Sequence, residues 1–139
     1  MDTQPPRSEP IRPESRDLLG NLRNLLLDQH KLLLDRERVA YEKTNGPVAG
    51  PGALLTLVLG DTHFAWLKQI STLVVEIDEA LSRRSKAGQP VADALLAQAR
   101  EMLRPRENGN DFQIRYYNAL QESPDIVILQ CRIEQMLGI

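Results

Sequence analysis

The stretch Asp61–Leu81, DTHFAWLKQISTLVVEIDEAL, decides how the rest of the chain is read. At 100° per residue, Phe64, Trp66, Leu67, Ile70, Leu73, Val74, Val75, Ile77 and Leu81 cover well over half of a helix circumference. Lys68, Gln69, Thr72, Glu76 and Glu79 are left on one narrow polar stripe. A helix that apolar needs neighbours on several sides, so residues 61–84 are expected to form the central helix of a bundle. The basic run Arg83-Arg84-Ser85-Lys86 closes it and complements the negative helix end.

Upstream, Leu18, Leu19, Leu22, Leu25, Leu26, Leu32, Leu33 and Ala40 share one face of a helix from about Arg16 to Lys43, with Ser15 as its expected N-cap. Asn45-Gly46-Pro47 ends it, because Gly46 suits the left-handed cap and Pro47 cannot continue a helix. The run Gly46–Gly52 is a loop by composition, and Ala53–Leu59 is a short apolar helix. Downstream, Gln89-Pro90 opens a helix carrying Ala92, Leu95, Leu96, Ala99 and Leu103. Asp111 is expected to cap one carrying Phe112, Tyr116, Ala119 and Leu120. Ser123-Pro124-Asp125 starts the last, which runs to about Leu137. No β-type alternation appears. The expected fold is all-α, a bundle of about five to six helices over residues 15–139. Residues 1–14, with four prolines and almost nothing apolar, are expected to be a disordered tail.

A chain of 139 residues, 42% hydrophobic and 26% charged, is long enough for one cored domain. Its net charge of -2 gives no general attraction to nucleic acid or an anionic membrane. Cys131 is the sole cysteine, which excludes an internal disulfide and a multi-cysteine metal site. No run of about 18 apolar residues suggests a membrane span, and residues 1–14 lack a signal-peptide core, so a cytoplasmic location is expected.

Polar groups inside apolar arcs are the anomaly. Gln29, His30, Arg36 and Glu37 fall on or beside the leucine face of the first helix; His63, Ser71 and Asp78 fall within the arc of the central one. Unpaired buried charge is prohibitive, so His30, Arg36, Glu37 and Asp78 are expected to form a buried network, with Arg36 on Asp78 as its main pair. The alternative use of such groups is a small-ligand site or a mononuclear metal site of His30, Glu37, His63 and Asp78. No Glu-x-x-His, P-loop, G-x-G-x-x-G or G-x-S-x-G occurs, and no catalytic residue, cofactor or metal is assigned. On the last helix Val127, Ile128 and Cys131 lie opposite Ile126, Ile133 and Leu137. They form a candidate interface with an unknown protein partner or with a second copy in a homodimer.

Four strings, His30-Lys31-Leu32-Leu33-Leu34-Asp35-x-Glu37-Arg38-x-x-Tyr41-Glu42, Asp61-x-x-Phe64-Ala65-Trp66-Leu67 continuing to Ile77-Asp78-Glu79, Ala99-Arg100-x-x-Leu103-Arg104-Pro105, and Phe112-Gln113-x-Arg115-Tyr116-Tyr117-x-Ala119-Leu120-Gln121, carry a resemblance. They resemble a family of uncharacterised, small, all-helical bacterial proteins of about 140 residues. Thr62-His63 departs from the Pro and aromatic residue expected there. The resemblance implies a helical fold and brings no activity, substrate or cofactor.

Overall fold

A computed structural model of the chain describes residues 9–139. Six α-helices carry the fold: α1 (Pro13–Asn45), α2 (Pro51–Gly60), α3 (Lys68–Leu81), α4 (Gln89–Met102), α5 (Asp111–Glu122) and α6 (Pro124–Leu137). A 3-10 turn at Ala65–Leu67 precedes α3. Among the described residues there is no strand, only an isolated antiparallel bridge between Pro10 and Gly88. The architecture is the expected all-α bundle.

The helix with the most extensive packing is α1. Leu19, Leu22, Leu26, Gln29, Leu33 and Glu37 follow one another at three- and four-residue steps and are all buried. This line packs against α3 on one side and α6 on another, with α4 closing one end. Each fully buried leucine contributes about 1.5–3 kcal/mol. Gly46 ends the helix at φ 79, a backbone angle that a side chain would strain, and its N–H bonds the Glu42 carbonyl.

The stretch 61–84 is not one helix. Asp61 accepts a bond from the His63 N–H at 2.8 Å, starting a tight turn that runs into the 3-10 segment. The regular α-helix begins only at Lys68. A 3-10 turn advances about 120° per residue. Phases read from Phe64, Trp66 and Leu67 therefore do not carry into α3, whose buried stripe is Ile70, Leu73, Val74, Ile77 and Ala80. Trp66 and Phe64 are still core residues, and Trp66 meets Phe112 of α5 at 5.5 Å between ring centres.

The expected tail divides in two. Residues 1–8 lie outside the described residues. Residues 9–12 dock on the bundle, against the expectation: the Gln89 N–H donates to the Glu9 carbonyl at 2.7 Å, and the Arg12 N–H to Gln89 Oε1 at 2.8 Å. Ile11, the one large apolar side chain there, is 6% exposed and joins the core. The buried isoleucine and the two backbone hydrogen bonds tie the segment to the bundle. Helix α1 starts on Pro13 rather than after Ser15; Ser15 is buried and accepts a bond from Gln89 Nε2. The α5 cap is Asn110, one residue before the expected Asp111, in a reciprocal capping box with Gln113.

Candidate interaction surface

The four residues expected to form one buried network are held in three separate places. Asp78 is exposed and pairs with Arg23 of α1 at 2.5 Å, the two side chains being 48% and 36% exposed. Arg36 does not reach it. Its guanidinium bonds Glu37 Oε1 at 2.7 Å and Glu122 Oε2 of α5 at 2.5 Å. The physical reason is the shortened α3: with its phase set from Lys68, Asp78 lies outside the buried stripe, next to Val75, which is 53% exposed.

Among the described residues Glu37 is the buried carboxylate, its side chain 7% exposed. His63 Nε2 lies 2.8 Å from its Oε2 and 3.1 Å from its backbone oxygen. Both are acceptors, so Nε2 carries the hydrogen. Tyr41 and Phe64 flank the imidazole at 5.9 and 5.1 Å between ring centres. Shared between a guanidinium and an imidazole, Glu37 clamps α1 to the turn before α3 and, through Arg36, to α5. His30 stands apart and meets Ser71 of α3, Nε2 to Oγ 3.2 Å, and burial lowers its pKa below the ordinary histidine value. His30, Glu37, His63 and Asp78 therefore do not converge, and no group of three metal-ligating side chains does among the described residues.

A polar network that sequence reasoning left unassembled lies deeper. Gln29 of α1 donates through Nε2 to the Tyr116 hydroxyl at 2.7 Å and the Ile126 carbonyl at 3.0 Å. Tyr116 O–H donates to Gln130 Oε1, and Gln130 Nε2 donates to the Leu103 carbonyl at 2.8 Å. Gln29 Oε1 is buried with no partner among the described residues. Burial drives the Tyr116 phenol well above the ordinary tyrosine range, despite the opposing bond from Gln29. Gln29 on a leucine face was the one signal of this network.

The surface is more informative. Helix α2, PGALLTLVLG, contains no charged residue and no buried residue. Leu55 is 58% exposed and Leu59 78%. Its principal packing is on the 3-10 turn, and it hangs between Gly46 and Gly50, both at positive φ, and Gly60. Between α2 and α3 runs a groove of about 320 Å3, lined by Val58, Leu59 and Val75 together with His30, Ser71, Thr72, Lys68 and Glu76. Sequence reasoning placed the apolar helix but not its exposure, since composition alone favours burial.

On α6, Val127 (39%), Ile128 (53%) and Cys131 are exposed as expected for an outer face. This face is narrower than that of α2, because Asp125, Arg132 and Gln135 interrupt it.

No family model, curated protein or solved structure matches the chain. No helix among the described residues is long and apolar enough to cross a membrane.

Proposed function

We propose that this chain is a non-catalytic helical interaction protein and that α2, with the groove it forms on α3, is its docking surface. The observation that carries the reading is a ten-residue helix without a charge and without a buried residue. Soluble surfaces seldom expose contiguous apolar patches of this kind without a use for them. A net charge of -2 supports a protein occupant over nucleic acid. The resemblance of four strings to small helical bacterial proteins supports a bacterial setting.

The test is a photo-crosslinking side chain placed at Leu55, with exposed Gln98 on α4 as control. A discrete adduct at position 55 that disappears on adding Leu59→Glu is the expected result. Labelling no stronger than at position 98 overturns the reading. A second reading, a small-ligand bundle, draws on the same groove: about 320 Å3 lies at the lower end of ligand-pocket volumes, and His30 and Ser71 supply polar contacts. Native mass spectrometry finding a stoichiometric small molecule that Val75→Lys removes would favour it.

A further inference from the structure

We infer that the α2–α3 groove binds an apolar monocarboxylate, its carboxylate held by Lys68 and Ser71 and its hydrocarbon chain laid against Val58, Leu59 and Val75. The inference rests on the small-ligand reading of the groove above and names the class of ligand.

Its ground is the order of side chains along α3. The helix lines the groove with Lys68, Ser71, Thr72, Val75 and Glu76, so the hydrogen-bond donors come first and the aliphatic and acidic members last. Lys68 and Ser71 are three residues apart, which makes them neighbours on one helix face, about 5–6 Å between Cβ atoms. Ser71 Oγ in turn lies 3.2 Å from His30 Nε2 of α1. Burial lowers the His30 pKa, so at neutral pH the ring is uncharged. With its hydrogen on Nε2 the imidazole donates to Ser71 Oγ and leaves the hydroxyl hydrogen free for an anion. The positive charge at this end is Lys68, which belongs to no ion pair among the described residues. An ammonium next to a hydroxyl that is already accepting a hydrogen bond is a setting for a carboxylate.

The remaining wall is aliphatic. Leu59 is 78% exposed and Val75 53%, so a hydrocarbon chain between α2 and α3 takes out of water apolar surface that the fold leaves wet. A small polar anion makes no use of that surface. Glu76 stands eight residues from Lys68, about 12 Å along the helix axis. There it repels a second carboxylate at the far end of the chain, which selects a monocarboxylate over a dicarboxylate. A groove of about 320 Å3 takes a chain of medium length.

The probe is octanoate below its micellar range, titrated calorimetrically into the full chain, with saturable one-to-one binding expected. Lys68→Gln should weaken it about three- to fivefold, the scale of an exposed ion pair, and Ser71→Ala by a similar factor. Octanol lacks the charge and should bind the wild type and Lys68→Gln alike, which assigns the loss to the ammonium–carboxylate contact. Hexanoate should bind several-fold more weakly than octanoate, because two methylenes leave the groove. Lys68 and Ser71 are exposed, and circular dichroism confirms that each variant is folded. No saturable binding at about 1 mM octanoate overturns the inference, and an adduct at Leu55 then still supports protein docking. Octanoate binding indifferent to Lys68→Gln overturns it, as does octylammonium bound in preference to octanoate. A stoichiometric molecule that is not a carboxylate, lost in Val75→Lys, overturns it while leaving the small-ligand reading intact.

Discussion

Gln130→Leu and Gln29→Leu remove the same side chain from the same buried network, yet they should differ sharply in cost. Without Gln130, the Tyr116 hydroxyl loses its acceptor and the Leu103 carbonyl its side-chain donor. Tyr116 and Leu103 are both 0% exposed, so water does not replace either bond. Two stranded groups at about 1–3 kcal/mol each give a loss of roughly 2–6 kcal/mol. Gln29 is different. Its Oε1 has no partner among the described residues, so leucine removes an existing penalty along with two bonds. The Ile126 carbonyl keeps its own helical bond within α6, and Tyr116 keeps Gln130 as acceptor. The net cost should fall within about 1 kcal/mol of zero. Urea unfolding followed by circular dichroism reads both, provided the denaturant slope is unchanged. Equal losses for the two variants would refute the reasoning, because they would show that the unpartnered oxygen is satisfied in solution.

Other expectations test the corrected parts of the fold. Ile11→Ala should cost about 2–4 kcal/mol in the same assay, as for a core isoleucine, whereas a free tail would give no change. In double-mutant cycles Asp78 should couple to Arg23 by less than about 1 kcal/mol, since both are exposed, and should be additive with Arg36. His30 has its pKa lowered by burial, so the unfolded chain binds its proton more tightly. Its contribution is therefore fully present above the unfolded value and is lost as pH falls through the folded one. His30→Gln should flatten the stability profile between neutral and mildly acidic pH; an unchanged profile would show that His30 is hydrated.

How much of this was legible depended on where the chain departs from a regular helix. The leucine line of α1 and the starts at Pro90 and Ser123 could be read directly, because spacing and caps act locally. Asp78 could not. Its assignment to the interior extended one helical phase across Ala65–Leu67, where the backbone tightens to a 3-10 turn. Ile11 was passed over because four prolines dominate the composition around it, although only one isoleucine was needed to dock the segment. For α2, hydropathy gave the helix but implied burial. Exposure is a property of what surrounds it, which the hydropathy of the segment does not contain. Glu37 was rightly placed inside, but its partner His63 comes from a turn that no helical wheel covers.

The hub position of α1 has a consequence for the order in which the chain can fold during synthesis. Its buried line needs α3 and α6, yet α6 begins at Pro124, long after α1 ends at Asn45. At about 5–20 residues per second, the leucines facing α6 wait on the order of ten seconds for their covering helix. Through that interval α1 is a 33-residue amphipathic helix with one bare side, long enough to hold helical structure alone. The α6-facing side of α1 is therefore the last part of the core to be covered as the chain is made.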